Sequence, residues 1–423
     1  MSTTLALISF ALLGAPLFVI FGAIALYSFF HADIDTSAIM IEFYRMASAP
    51  TLVTIPLFTF AGYLMAESGT PKRLVNVAQA VLGWLPGGLA IVTIFSCAFF
   101  TAFTGASGVT IIALGGLMYP ILMREKYEDK FSMGLVTSCG SLGLLFPPSL
   151  PLILYGLIAN VNIDKLFLAG IFPGMVLVTA LSLYGVYFGS KKGVHRVPFV
   201  WKNVFKSLKE AAWEAPLPFL ILGGIYGGFI TASEAASVTA FYVLVVEVFI
   251  YRDLKLFRDV PRIIRESMLL VGGILIILGV AMGMTNYLVD ARVPMRLFEW
   301  VSQYISSKLM FLVLLNIFLL IVGCLMDIFS ATIVVVPLIT PIAYKYGVNP
   351  VHLGIIFLTN LEIGYLTPPV GLNLFISSFR FGRSILELYR IAIPYLIILL
   401  ICLVIITYIP WLSTFLVGAL NVK

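Results

Sequence analysis

Gly140-Ser141-Leu142-Gly143-Leu144-Leu145-Phe146-Pro147-Pro148 and Leu361-Glu362-Ile363-Gly364-Tyr365-Leu366-Thr367-Pro368-Pro369 interrupt two strongly apolar runs, 133–157 and 352–378. In each, a glycine stands four residues ahead of a proline pair. Two prolines remove two N–H donors and block the preceding helical turn. Each run therefore reads as a helix broken partway along. The pattern recurs at a fixed offset. Gly143 and Gly364 are 221 residues apart, as are Pro147 and Pro368, and Pro120 and Pro341; Ser107 and Ser330 are 223 apart.

The rest of the chain is apolar enough to put these breaks inside a membrane. Of its 423 residues, 61% are hydrophobic and 11% charged, and the mean hydropathy is +1.07. A soluble domain carries about 25% charged residues. That excludes a soluble enzyme, a disordered scaffold, a disulfide-stapled secreted domain and a coiled coil. The alternating strands of an outer-membrane barrel are absent. The chain is an all-α polytopic membrane protein embedded in a lipid bilayer. Its net charge of +6 fits basic loops that set topology and touch anionic lipid, not nucleic-acid binding. Cys97, Cys139, Cys324 and Cys402 lie in apolar runs and read as small buried hydrophobes. The first run, 3–30, is too long for the core of a signal peptide and lacks a basic leader, so it reads as a retained helix.

Two adjacent pairs of runs cannot both cross. Only Gly105-Ala106-Ser107 separates 87–104 from 108–123, and only Asp327-Ile328-Phe329-Ser330 separates 309–326 from 331–345. Breaks this short cannot hold a surface loop while both limbs span about 30 Å of hydrocarbon. Both pairs, 87–123 and 309–345, read as re-entrant hairpins, which survive only where protein or water covers the tip. The order helix, hairpin, broken helix, closing helix then occurs twice. It divides the chain into an N-terminal scaffold helix (1–48), a first repeat (49–190), basic segments with a two-helix scaffold insert (191–266) and a second repeat (267–423). Five crossings between 50–67 and 267–289 invert the second repeat. With the basic stretch 189–210 in the cytoplasm, inside loops hold 19 of the 26 Lys and Arg. The N-terminus is then cytoplasmic and the C-terminus periplasmic.

Inverted repeats with broken helices bind substrate and ions near the midplane, where unwound carbonyls, hydroxyls and helix ends supply ligands. The first tip offers Thr104, Ser107 and Thr110, facing Ser138, Ser141 and the backbone at Gly140 and Gly143. The second offers Asp327, Ser330 and Thr332, facing Thr359, Asn360, Gly364 and Thr367. Such oxygen-rich tips suit a hard monovalent cation, and the Cys/His clusters of soft-metal sites are lacking. The expected Na⁺ ligands are Ser107, Thr110, Gly140, Gly143, Asp327, Ser330, Thr332, Gly364 and Thr367. The expected substrate contacts are Gly108, Ser141, Pro147, Asn360 and Pro368. Asp327 stands out as a carboxylate between apolar limbs, a functional hypothesis by default; it also suits a cap on the second limb, and both roles can coexist. Glu362 reads as a hydrogen-bonded structural group, with a site role as the alternative. Glu234, after a Gly-rich turn, reads as a helix-start or interface residue. Gly279 and Gly283 suggest close helix contact. Trp84, Trp201 and Trp300 read as interfacial anchors.

Gly105-Ala106-Ser107-Gly108 also matches the GxSG string of rhomboid intramembrane proteases. A serine nucleophile needs a base within hydrogen-bond reach. His31 and His195 fall in loops and His352 at a helix entry, so none is placed to serve Ser107. HExxH and Walker A strings are absent.

The second repeat carries a family resemblance. Cys324-Leu-Met-Asp327, Pro337-Leu-Ile-Thr-Pro341-Ile-Ala, Gly347-Val-Asn-Pro350-Val-His352-Leu-Gly354 and Asn360-Leu-Glu-Ile-Gly364-Tyr-Leu-Thr367-Pro368-Pro369-Val-Gly371-Leu-Asn373-Leu-Phe375 resemble the large membrane subunit of tripartite ATP-independent periplasmic (TRAP) transporters. The first tip, Thr104-Gly-Ala-Ser107-Gly-Val-Thr110, departs from the Ser/Gly/Ala-rich tip of the dicarboxylate and sialic-acid members. The resemblance implies a non-enzymatic, Na⁺-driven importer of organic anions in a bacterial inner membrane, working as an elevator. It also implies a small four-helix membrane subunit, a periplasmic substrate-binding protein and a Na⁺ site at each hairpin tip. A stand-alone Na⁺/dicarboxylate symporter or an antiporter is the alternative.

Overall fold

A computed structural model describes residues 15–192 and 198–420, and every regular element among them is helical. The start of the first apolar run (3–14), together with His195 and Arg196 of the basic stretch, lies outside the described residues. Among the described residues, seven helices are long and apolar enough to cross a membrane, or up to nine if each of two bent pairs counts as one span.

One group of helices packs around α13 (Asp259–Asp290). Against it lie α1 (Leu17–His31), α2 (Ser37–Ala47) and α3 (Thr54–Glu67), the last entered through a tight turn at Pro50–Val53. Small residues make this approach possible. A Cβ on Gly279 would lie 2.1 Å from the Phe43 ring, and one on Gly283 would lie 3.1 Å from Ile39. Helix α11 (Leu217–Tyr226) turns into α12 (Ala232–Ile250), which covers α3. The turn is locked by a capping box: the Thr231 hydroxyl accepts from the Glu234 N–H, and the Glu234 carboxylate accepts from the Thr231 N–H at 2.7 Å. Glu234 is thus a helix-start residue.

The second group contains both interrupted segments. Helix α5 (Gly88–Thr104) and α6 (Ser107–Arg124, with a π-helical turn at Ile111–Gly115) form the first hairpin. Helix α7 (Asp129–Cys139) unwinds into a 3₁₀ turn at Leu142–Leu145 before α8 (Leu150–Ala159), with a 44° bend. Helix α9 (Ile163–Lys192) closes this half. The equivalents are α15 (Lys308–Leu325), α16 (Ile328–Lys345), α17 (Pro350–Gly364) and α18 (Leu372–Phe381). The closing run expected at 389–416 is instead two helices, α19 (Ile385–Tyr408) and α20 (Trp411–Ala419), because Pro410 stops the first. The halves interlock: α8 packs on α16, α7 on α19, and α9 on both α19 and α20.

Both breaks are built alike. Pro147–Pro148 and Pro368–Pro369 are both cis. A Cβ on Gly143 would sit 2.2 Å from the Ala98 carbonyl oxygen on α5, and one on Gly364 would sit 2.5 Å from the Gly323 backbone on α15. Each glycine therefore lets a broken helix touch the first limb of its own hairpin.

Amphipathic helices α4 (Thr70–Leu82), α10 (Trp201–Glu210) and α14 (Val293–Tyr304) connect the groups. Trp84, Trp201 and Trp300 are all exposed beside them, which suits interfacial rings. Arg73 on α4 lies in a half-buried ionic knot. Its guanidinium donates to Glu214 (2.5 Å), Glu247 (2.9 Å) and Asp253 (2.6 Å) and stacks on Tyr251 at 3.8 Å. All four cysteines are free and buried.

Candidate functional site

The first tip forms because Gly105 takes a left-handed conformation (φ +63°) and Ala106 an extended one between α5 and α6. A side chain at Gly105 would also strike Leu150 on α8. The hub of this tip is Thr101, which the sequence reading missed. Its hydroxyl lies 2.7 Å from the Thr110 hydroxyl, 2.8 Å from the Cys97 carbonyl and 2.9 Å from the Gly140 carbonyl. A hydroxyl has one proton to give, and the Cys97 carbonyl already accepts within helix α5, so Thr101 can spend that proton on Gly140. Thr104 Oγ1 and Ser138 Oγ are buried without a partner. Gly140 packs against Ile111 and the Ser107 carbonyl, and Gly143 against Thr101. Ser107, Thr110, Gly140 and Gly143 are thus brought together around Thr101. The one available signal for Thr101 was its place one helical turn before Thr104.

The second tip turns at Met326-Asp327. Asp327 caps α16, its Oδ1 accepting from the Phe329 and Ser330 N–H groups at 3.0 Å each. The capping role is therefore real, and it points the carboxylate at the tip. The Ile328 N–H donates to the Tyr365 hydroxyl (2.6 Å), and the Gly371 N–H to the Cys324 carbonyl (3.2 Å), so the break at 365–371 is stitched to the tip. The hydroxyls of Thr332, Thr359 and Thr367 donate to carbonyls of their own helices, at Ile328, Ile355 and Ile363, leaving lone pairs unspent. Ser330 is buried in the first turn of α16. Asp327 and Ser330 meet at this tip, and Gly364 packs against the Gly323–Cys324 backbone that leads into it, whereas the Thr332 and Thr367 hydroxyls are spent on Ile328 and Ile363.

The expected substrate positions are more scattered, and among the described residues no hydrogen bond joins one to another. Gly108 is half-buried against Ile376, and Pro147 is half-buried beside the first break. Pro368 is exposed. Asn360 donates to Asn316 (2.7 Å) and to the Ile356 carbonyl (2.8 Å), and Asn316 donates on to Thr407 (3.1 Å). That amide ties α17 to α15 and α19. Ser141 lies where the two broken helices cross. Its Oγ is 3.3 Å from Asn373 Nδ2 and 3.5 Å from the Glu362 carbonyl.

Glu362 departs from its expected role as a hydrogen-bonded structural group. It is 1% exposed, and neither carboxyl oxygen has a partner. The histidines stay away from Ser107, as expected. His352 is held by Ser413 (2.6 Å) and the Thr407 carbonyl (3.1 Å). His31 is the last residue of α1 rather than part of a loop.

The family description "Tripartite ATP-independent periplasmic transporter, DctM component" matches residues 4–412. The C4-dicarboxylate TRAP transporter large permease protein DctM of Vibrio cholerae is 33% identical over 97% of this chain and 95% of its own length. The isethionate TRAP transporter permease protein DctMQ of Oleidesulfovibrio alaskensis is 35% identical over 97% of this chain and 65% of its own. Among solved structures, the Alcanivorax borkumensis YdaH transporter superposes with a TM-score of 0.62 at 14% identity, covering 89% of this chain and 87% of that one. That likeness concerns the fold alone.

Proposed function

Because the chain belongs to the DctM component family of tripartite ATP-independent periplasmic transporters, we propose that it is the Na⁺-coupled, substrate-moving subunit of an importer for small organic anions. It is a transport protein and not an enzyme. The observation that carries the reading is the pair of tips. Each presents buried hydroxyls and unwound backbone from a hairpin to a broken helix of the same half. A Na⁺ at each tip would be held by lone pairs of these hydroxyls and carbonyls and, at the second, of the Asp327 carboxylate. The bound anion would then sit where helix ends and cations offset its charge.

The matched construction of the two breaks supports two inverted repeats with re-entrant hairpins. In that arrangement α5–α9 and α15–α20 move together as an elevator against a scaffold of α1–α3 and α11–α13. The positive-inside count supports a bacterial inner-membrane protein with a cytoplasmic N-terminus and a periplasmic C-terminus. Relatives named for C4-dicarboxylate and isethionate point to carboxylate or sulfonate solutes. The partners are a periplasmic binding protein that delivers the solute and a small membrane subunit. The DctMQ relative, of which this chain matches 65%, has room for that second component.

The test is uptake into proteoliposomes holding this chain and its small partner, under an imposed Na⁺ gradient, with and without the binding protein. Uptake that needs both Na⁺ and the binding protein is the expected result. Uptake indifferent to Na⁺ overturns the coupling, and uptake without the binding protein identifies a stand-alone symporter.

A further inference from the structure

Helix α10 carries three stripes at i, i+4, i+7 spacing, each with its own chemistry. Trp201, Phe205 and Leu208 make an apolar stripe, and all three are exposed. Lys202, Lys206 and Lys209 run beside it and are exposed as well. Asn203, Ser207 and Glu210 make the third stripe, which borders a cleft between α10 and α4. Glu210 sets one negative charge against the three lysines, so the helix stays net positive.

The cleft holds about 360 Å³ and is lined by Asn76 and Gln79 of α4 and by Asn203, Lys206 and Glu210 of α10. Among the described residues, no hydrogen bond or ion pair takes the three side-chain amides or the Lys206 ammonium. Their N–H donors are therefore unspent within the protein and converge on one space. The apolar stripe also extends beyond the helix. Phe199 stands 5.0 Å from Trp201 and 6.2 Å from Trp84, ring centre to ring centre, and Trp201 lies 6.2 Å from Phe205. These four rings form a ladder in which each is between 41% and 67% exposed. Aromatic rings favour the level of lipid head groups, and a helix with an apolar stripe beside a cationic one lies in the plane of the interface.

The two features together select the ligand. A soluble oxyanion would engage the amides and lysines and leave the ladder bare. An apolar partner helix would cover the ladder and leave the lysines and amides unanswered. A phosphodiester carrying acyl chains answers both: its oxygens accept from the donors in the cleft, its charge faces the lysine stripe, and its chains lie along the rings. We propose that the cleft between α4 and α10 binds an anionic phospholipid of the phosphatidylglycerol type, with the head group in the cleft and the acyl chains along the ring ladder. The lipid bridges α10 to α4, the helix that leads into the first hairpin. Lipid binding there does not depend on the chain's transport activity.

Trp201 is the reporter. The purified full-length chain, with and without its small membrane partner, is reconstituted in phosphatidylcholine bilayers holding a minority of lipid brominated along its acyl chains, which quenches tryptophan on contact. The Trp201 signal is the difference between the wild type and Trp201→Phe. Brominated phosphatidylglycerol should quench it about threefold or more as efficiently as brominated phosphatidylcholine at equal mole fraction. Lys206→Gln should weaken the response to phosphatidylglycerol about fivefold, the worth of one lysine at an anionic surface. Lys130→Gln, which removes an exposed lysine on α7, should leave it unchanged. Millimolar inorganic phosphate should not compete. Equal quenching by the two lipids overturns the proposal, and so does a Lys206→Gln variant quenched like the wild type. Displacement by inorganic phosphate overturns it in favour of a free oxyanion. Loss of quenching in the presence of the small partner overturns it in favour of a protein contact on the ladder. The comparison of the two lipids on the wild type decides the matter if Lys206→Gln fails to fold. No uptake is measured, so a failed import reading leaves the lipid site standing.

Discussion

Adding one methyl group at Gly143 should separate the first tip from its broken helix. The Cβ of Gly143→Ala would lie 2.2 Å from the Ala98 oxygen, 2.5 Å from the Ala102 nitrogen and 2.5 Å from Thr101 Cβ. Two of these atoms are backbone, so no side-chain rotation relieves the clash. Helix α5 must retreat by about 1 Å before the contact with Ala98 reaches van der Waals separation. The 2.9 Å approach of Thr101 Oγ1 to the Gly140 carbonyl lies on the same line of contact and would be lost. Overpacking of this kind costs about 1–3 kcal/mol. If the tip binds Na⁺ through these oxygens, half-saturating Na⁺ should rise about tenfold or more, equivalent to roughly 1.4 kcal/mol. The assay is the Na⁺ dependence of uptake in proteoliposomes, with thermal melting of the detergent-purified protein alongside. Gly223→Ala is the control, because nothing lies within 4 Å of its Cβ position. Unchanged melting and unchanged Na⁺ affinity in Gly143→Ala would refute the packing argument. Reduced melting with unchanged Na⁺ affinity would refute the tip as the ion site.

Asp327 should separate into two roles. Asn can still accept from the Phe329 and Ser330 N–H groups, so Asp327→Asn should melt within about 0.5 kcal/mol of the wild type while Asp327→Ala loses about 1 kcal/mol. Asp327→Asn should nevertheless weaken Na⁺ dependence, and wild-type Na⁺ affinity in the folded variant would rule the carboxylate out as a ligand. Arg73→Met strands Glu214, Glu247 and Asp253 without their cation and should cost about 3–5 kcal/mol; a melting temperature equal to the wild type would show that the knot contributes nothing. Burial pushes the Glu214 carboxyl up to about 7 against the pull of Arg73. Its folded form therefore holds a proton more tightly than an unfolded chain does. That stabilisation is complete below the ordinary carboxylate range and is lost as pH rises through about 7. The melting difference between wild type and Glu214→Gln should accordingly fall across that window, and a difference that is flat or grows with pH would contradict it.

What the sequence shows clearly here is whatever the backbone itself must obey. Gly105, the Gly143 and Gly364 pair and the proline pairs mark the turns and breaks because no other residues suit those conformations or contacts. Thr231 with Glu234, and Asp327 ahead of Phe329 and Ser330, announce helix starts because caps are local. Partners far apart in the chain leave no such trace. Asn373 meets Thr137 and Ser141 across more than two hundred residues, and Arg73 meets Glu214, Glu247 and Asp253 from more than one hundred residues away. Thr101 hides for a different reason. A threonine in an apolar helix ordinarily bonds its own i−4 carbonyl, and Thr101 does lie 2.8 Å from Cys97 O, yet the unwound turn of α7 brings a second carbonyl to the same hydroxyl.

Glu362 shows the limit most sharply. On the sequence alone, a glutamate beside a helix break belongs with the many that satisfy nearby N–H groups. Only the packing shows that Tyr365, Leu366, Thr367 and Gly371 spend their N–H groups elsewhere, on the carbonyls of Leu361, Ile363, Gly364 and Cys324. These local donors go to backbone carbonyls, and the carboxyl beside them has no partner. At the first tip the Thr104 and Ser138 hydroxyls are likewise buried without a partner. In both places the structure leaves buried oxygens over. If cations take up those oxygens as proposed, stability should rise when they bind, by mass action at whatever sites they occupy. Raising Na⁺ at constant ionic strength should therefore raise the melting temperature of the wild type, and less so that of Gly143→Ala. Equal melting of the wild type in Na⁺ and in choline would show that the leftover oxygens are not cation sites.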